Sequence, residues 1–218
     1  MKTVWLAGGS GLVGGELLKL LLEERDIDRV VSVGRRTLPL EHPRLSQVTV
    51  DFAVPASFEP LPAPEAAFCC LGTTIKRAGS REAFRAVDHD AVVAFAKAAR
   101  DRGARTFVHV TALGADPRSG VFYNAVKGQV EDAVAALGFE SVVALRPSVL
   151  DGERAESRPM ERVGLAVGRA LGPLLGKYRP TPVGAVAAAM LSWSKSPKPG
   201  RHEMEAGEIF GARAAGKG

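Results

Sequence analysis

Short apolar runs of strand length alternate along this chain with stretches in which apolar residues recur every three or four positions. Val4-Trp5-Leu6-Ala7 is the first run; beyond it residues 11–24 carry Leu12, Leu17, Leu18, Leu21 and Leu22 at helical spacing, which predicts a helix with one buried face. Further strands are predicted over 30–34, 46–52, 66–71, 105–112 and 140–145, with a late strand or hairpin edge over 200–210. Long helices are predicted over 80–102, with Ser80 as N-cap and Gly103 as its stop, and over 123–137. The Pro-rich piece 55–64 has to be a connection, because proline continues neither a ladder nor a helix interior. Buried strands alternating with helices imply an α/β fold with a doubly wound parallel sheet, a single domain over residues 1–218. Beyond Asp151 the rhythm loosens into loops and two apolar helices, 160–171 and 183–195, the second with Pro182 in its first turn. They predict a small helical cap, mainly from 151–195, over the carboxyl ends of the strands, where open α/β sheets place ligands. The Gly- and Ala-rich tail 211–218 is expected to fray.

Composition narrows the classes. At 218 residues the chain is long enough to bury a substantial core. No apolar run reaches the roughly 20 residues of a bilayer span, since Arg169 and several glycines break the stretch 163–175. Met1-Lys2 leads straight into a strand rather than into a cleavable apolar segment, so a cytoplasmic location is expected. Cys69 and Cys70 are adjacent in a strand and point to opposite faces, which predicts buried thiols rather than a disulfide. His42, His89, His109 and His202 are scattered without ligand spacing, so no metal centre is expected. The net charge of +5 is spread along the chain instead of forming a stripe with aromatics. The expected partner is a small-molecule substrate, with neither nucleic acid nor membrane, bound by a monomer or homodimer.

The chemistry begins at Gly8-Gly9-Ser10-Gly11-Leu12-Val13-Gly14, between the first strand and the first helix. Glycines let the backbone turn tightly and approach a pyrophosphate, whose charge then sits on free N–H groups at the positive end of the helix. From Gly8 the spacing is G-x-x-G-x-x-G and from Gly9 it is G-x-G-x-x-G; both registers are open. About twenty residues on, where a ribose-reading residue is expected, stand Arg35 and Arg36, with no acidic residue between Val30 and Leu40. Guanidinium forks suit the 2′-phosphate of NADPH, whereas NAD is usually read by an acidic side chain. Two arginines after a strand also serve simply to solubilise a loop.

A second constellation is Tyr123-Asn124-Ala125-Val126-Lys127, whose tyrosine and lysine share a helix face. An ammonium near a phenol favours the phenolate, bringing a tyrosine down from about 10 toward working pH and making it a usable proton donor and acceptor. Thr111, at the end of the preceding strand, is the candidate to hold a substrate carbonyl opposite Tyr123.

Taken together these residues resemble the short-chain dehydrogenase/reductase superfamily in its extended, atypical branch. The phrases Gly34-Arg35-Arg36, Phe68-Cys69-Cys70-Leu71-Gly72-Thr73-Thr74, Lys127-Gly128-Gln129-Val130-Glu131 and Glu156-Ser157-Arg158-Pro159 are similar to the NADPH-binding oxidoreductase group related to the Tat-interacting protein. The resemblance implies a Rossmann fold and bound NADPH. It also implies Asp51 at the adenine, Leu71-Gly72-Thr73 along the cofactor, Arg146-Pro147 beside it, Thr111, Tyr123 and Lys127 as the active residues, and Lys127 on the nicotinamide ribose as well. Where extended members often have a proton-relay asparagine, this chain has Val87-Asp88-His89. His89 is a secondary acid/base candidate or a structural histidine of the helix, and Arg158 a candidate either to anchor an acidic substrate or to form a salt bridge within the cap. The expected activity is NADPH-dependent oxidoreduction of a carbonyl or alcohol. Its alternatives are epimerase or dehydratase chemistry of the nucleotide-sugar type and a non-catalytic NADPH-binding redox sensor.

Overall fold

In the computed structural model, residues 2–151 and 180–215 are described. A seven-stranded sheet has the order β3-β2-β1-β4-β5-β6-β9, and every neighbouring pair is parallel. Its strands are β1 (Thr3–Ala7), β2 (Arg29–Gly34), β3 (Leu45–Thr49), β4 (Ala66–Cys69), β5 (Thr106–Val110), β6 (Ser141–Arg146) and β9 (Gly200–Glu205). A separate pair joins β7 (Leu150–Asp151) to β8 (Thr181–Pro182). The helices are α1 (Leu12–Glu23), α2 (Ile75–Ala78), α3 (Arg81–Arg85), α4 (Ala91–Asp101), α5 (Phe122–Ala135), α6 (Val183–Lys195) and α7 (Ala206–Ala215). The Pro-rich connection forms a short 3₁₀ turn at Pro55–Phe58.

Strand alternation explains the two layers. Val4, Leu6, Phe68, Val108, Val143 and Leu145 face α1, α6 and α7, while Trp5, Ala7, Ala67, Cys69, Phe107 and Val142 face α4 and α5. The chain leaves β1 toward β2 on one side and returns to β4 on the other, so the topological switch lies between β1 and β4. The Gly8–Gly14 and Leu71–Thr73 loops follow those two strands directly. A crevice outside the carboxyl ends of such a pair is where doubly wound sheets hold ligands.

Four expectations change. The single helix over 80–102 is α3, a π turn over Ala86–Asp90, and α4. Ser80 does cap its start, accepting from the Ala83 N–H at 3.0 Å, and Gly103 does end it, at φ +95°. The π turn is closed by the Ala91 N–H reaching back to the Ala86 carbonyl, and the extra residue advances the helix register, which carries Asp88 into the interior at 1% exposure. Second, residues 200–210 are not a hairpin edge: β9 runs parallel to β6, and Ile209 and Phe210 belong to α7, whose helix reaches Ala215 inside the tail expected to fray. Third, α6 does not cap the strand ends but packs beside α1, through Val183, Val186, Ala187 and Met190, because its apolar residues extend round enough of the helix to be buried in the lower layer. Fourth, the predicted helix 160–171 and Arg158 lie outside the described residues.

Candidate active site

Backbone geometry settles the glycine register. Gly8 adopts φ +85°, and a β-carbon there would stand 2.5 Å from the Cys70 backbone, so only glycine lets β1 turn this close to β4. At Gly14 a β-carbon would lie 2.1 Å from the Gly8 carbonyl oxygen, so helix and loop touch without side chains between them. Gly11 donates to Gly8 O at 2.9 Å and is the N-cap of α1. The spacing that matters is therefore G-x-x-G-x-x-G. Gly9 and Ser10 fill the turn, Leu12 is half-buried and Val13 buried. No side chain caps α1 and no acidic residue sits in its first turn, so its leading N–H groups face outward with the helix dipole behind them. That cradle fits a pyrophosphate.

Around it, Arg35 and Arg36 are exposed at the end of β2 and have no ion pair among the described residues. Asp51 is exposed beyond β3 and accepts from the Ala53 N–H at 3.0 Å. Leu71 and Thr73 are half-buried and Gly72 exposed along the loop after β4.

Tyr123 stands in the first turn of α5, half-buried, its ring 5.5 Å from that of Phe84, and its hydroxyl has no hydrogen-bond partner among the described residues. The Lys127 Nζ lies 6.0 Å from the centre of the Tyr123 ring, one turn further along the same face. Lys127 is not a solvated lysine. It is 5% exposed and forms an ion pair with Asp88 Oδ1 at 2.8 Å, while Asp88 Oδ2 accepts from the Thr73 N–H at 2.8 Å. Burial alone would lower the Lys127 ammonium, but the Asp88 carboxylate and the Tyr123 phenol outweigh it and hold it above the ordinary lysine range.

Thr111 and Arg146 are placed differently from what the sequence implied. The Thr111 hydroxyl donates to Glu131 Oε1 at 2.6 Å, and the residue is 5% exposed, so it has no free donor for a substrate oxygen. Arg146 donates from Nε to Glu131 Oε1 at 3.0 Å, from its other arm to Glu131 Oε2, and pairs with Glu203 at 2.6 Å, so its guanidinium is committed away from a cofactor. Pro147 is buried, its carbonyl accepting from the Leu113 N–H at 2.9 Å. Glu131 is the residue that sequence reasoning missed. It lies four positions beyond Lys127, where a carboxylate interrupts the Val126-Val130-Val134 stripe, and a charge on an apolar stripe was the available signal. It ties α5 to β5 and β6 from below the site.

His89 pairs with Asp90 at 2.7 Å and lines a cleft with Pro55, Phe58 and Val93, on the flank of α4 away from Tyr123, which removes it as an acid/base candidate. Cys69 is buried on the α5 side of the sheet, where loss of hydration pushes its thiol up to about 12; Cys70 lies on the opposite side, its Sγ 3.8 Å from the Met190 sulfur. Among the described residues no group of side chains is arranged to hold a metal ion.

His109 on β5, beside Cys69 of β4, is 1% exposed, and neither ring nitrogen has a hydrogen-bond partner among the described residues. Burial, then the charges of Lys127, Arg201 and Arg146, push its imidazole down to about 3. The unfolded chain takes up this proton below about 6.5 while the folded chain refuses it, so stability is lost as pH falls from about 6.5 toward 3, by about 1.4 kcal/mol per pH unit. His109→Leu should remove this contribution. Urea unfolding at pH 7, 6, 5 and 4 should show a shallower acid slope in the variant, and parallel slopes would disprove it.

No protein-family model matches the chain. The rat (Rattus norvegicus) protein HTATIP2 is 35% identical over 207 residues, covering 93% of this chain and 85% of that protein. Protein FMP52, mitochondrial, of Coccidioides immitis is 35% identical over 185 residues, covering 79% of this chain and 75% of its own length. Among solved structures, the Bordetella bronchiseptica enzyme WbmH in complex with NAD+ superposes with a TM-score of 0.71 at 20% identity, covering 95% of this chain and 76% of that one. At that identity the likeness is one of fold. The cytoplasmic location expected from the sequence is overturned by the fungal relatives, which are named as mitochondrial. That expectation rested on hydropathy and on the first residues, and hydropathy reports membrane spans rather than compartments. A Rossmann-type sheet, a glycine cradle at its switch point and identity at this level over most of both chains show that the chain belongs to the family of HTATIP2 and FMP52.

Proposed function

We propose that this protein is an NADPH-dependent oxidoreductase acting on a carbonyl or alcohol carbon of a small-molecule substrate. The observation that carries the reading is Tyr123, whose hydroxyl is unpartnered among the described residues at the start of α5, with the Lys127 ammonium 6.0 Å from its ring. The glycine cradle of Gly8, Gly11 and Gly14 would hold a pyrophosphate on the α1 N–H groups, Arg35 and Arg36 a 2′-phosphate, and Asp51 and Leu71–Thr73 the adenine end and the length of the dinucleotide. The NAD+ complex of WbmH supports a nicotinamide dinucleotide on this kind of sheet. When bound, NADPH supplies the hydride.

The chain's residues then handle the proton. In reduction Tyr123 Oη donates its proton to the substrate oxygen, and the phenolate it leaves is stabilised by the Lys127 ammonium one helical turn away. In oxidation the phenolate accepts the hydroxyl proton. With Thr111 engaged by Glu131, Tyr123 is the side chain best disposed to bind the reacting oxygen as well as to protonate it.

Cofactor choice tests the cradle. Calorimetric titration should show NADPH bound more tightly than NADH by about 1–3 kcal/mol, the range of charge-assisted hydrogen bonds, and Arg35→Ala with Arg36→Ala should erase the difference. Equal affinities in the unmodified protein would sink the assignment. A screen of aldehydes, ketones and alcohols, followed by NADPH oxidation, tests the reaction. Consumption of NADPH in proportion to product separates net reduction from chemistry that returns the hydride within the site.

A further inference from the structure

We infer that Asp88 is the positioning residue of this site: one carboxylate oxygen holds Lys127 and limits the positive charge that Tyr123 feels, while the other pins the loop after β4. The inference rests on the reading of Tyr123 and Lys127 as the proton-handling pair. Asp88 is 1% exposed, Lys127 Nζ lies 2.8 Å from Oδ1, and the Thr73 N–H donates to Oδ2 at 2.8 Å. The loop is built closely against this pair: a β-carbon on Gly72 would lie 3.4 Å from Asp88 Oδ1 and 3.8 Å from Lys127 Nζ. The π turn exists around this residue, and an added residue in a helical turn is the kind of local departure that aims a side chain.

The elements around the pair carry further ionisable groups. On β4 stands Cys69 and on β5 His109; Arg81 of α3 lies over the Phe122 ring at 5.0 Å and Arg85 donates to Gln129 at 2.6 Å. Cys69 and His109 are both neutral at working pH, the thiol raised to about 12 and the imidazole lowered to about 3 by burial. Glu131 is occupied by Thr111 and Arg146. Among the described residues Asp88 is therefore the anion in contact with Lys127.

A lysine paired with a carboxylate presents much less net charge to a neighbouring phenol than a lysine alone. Asp88 thus trades acidity of Tyr123 for a fixed lysine and a fixed cofactor loop. The same carboxylate makes the order of the loop and the position of Lys127 interdependent.

The chain has two tyrosines, Tyr123 and Tyr178, so in a Tyr178→Phe background phenolate absorbance titrates Tyr123 alone, without substrate or turnover. Asp88→Asn keeps the shape and an acceptor for Lys127 but removes the charge. It should move the Tyr123 midpoint to lower pH by about one unit, whereas Asp88→Glu should return it toward the original value. A midpoint that Asp88→Asn leaves in place or raises would overturn the inference. The unmodified chain provides a second test that survives if the variants do not fold. Thr73 lies in an irregular stretch, so its amide should exchange slowly only because Asp88 holds it, and fast exchange would overturn the loop contact. If both results appear but no substrate is ever turned over, the inference about Asp88 stands and the oxidoreductase reading falls.

Discussion

Tyr123→Phe is expected to lower single-turnover NADPH oxidation by about 10²–10⁴-fold while leaving NADPH affinity unchanged. The substitution removes the hydroxyl and keeps the ring, whose packing at 5.5 Å against Phe84, which also contacts Phe122 at 5.8 Å, holds the start of α5 in place. The loss is therefore one of proton transfer rather than of shape. The hydroxyl accepts or donates no hydrogen bond to a described residue, so folding should be nearly indifferent to it and thermal midpoints should coincide. Unchanged turnover would refute the mechanism. A protein that binds NADPH but turns over no carbonyl, with or without the hydroxyl, would instead be a cofactor-binding sensor.

Lys127→Met is expected to cost more than activity. In the folded protein Lys127 and Asp88 are both buried and paired at 2.8 Å, and removing the ammonium leaves an uncompensated carboxylate among apolar residues. Breaking a buried pair in this way typically costs about 3–5 kcal/mol. For a chain of this length that corresponds to a fall in melting temperature of roughly 6–20 °C. Asp88→Asn combined with Lys127→Met removes both charges together and should recover much of the loss, because a neutral amide is far cheaper to bury than an unpaired carboxylate. Urea unfolding of the two single variants and the double variant provides the cycle. Stability unchanged in Lys127→Met would mean that the pair does not form in solution. NADPH binding should also weaken, since the Thr73 loop loses the partner of its anchor.

The repeating order of strands and helices was legible in the chain because the inner strands β1, β2, β4, β5 and β6 are buried on both faces and the long helices bury an apolar face, and burial leaves a periodic trace in sequence. The glycine tract was legible for a different reason: at Gly8 the backbone turns so close to the neighbouring strand that a β-carbon would stand 2.5 Å from it, and only one amino acid lacks that atom. Its register was not, since Gly8 and Gly9 begin equally good motifs and the difference lies in φ. Tyr123 and Lys127 were found through their spacing. Their partner Asp88 was seen only as a departure from an expected asparagine, because the π turn that brings it inward preserves the local helical pattern.

By itself the sequence determined the parallel, doubly wound sheet, the place of the cradle and the helix face that carries Tyr123 and Lys127, all of which follow from local periodicity and backbone sterics. Tertiary structure alone decided which charges meet. Thr111 donates to Glu131, Arg146 bridges Glu131 and Glu203, and Asp88 joins Thr73 to Lys127, across separations from 15 to 57 residues. Such pairings depend on strand order and on one extra residue in a helical turn, and neither leaves a periodic mark in the chain. The same holds for α6: its apolar residues promised burial, but whether it would cover the strand ends or lie beside α1 depended on which surface the rest of the fold left open.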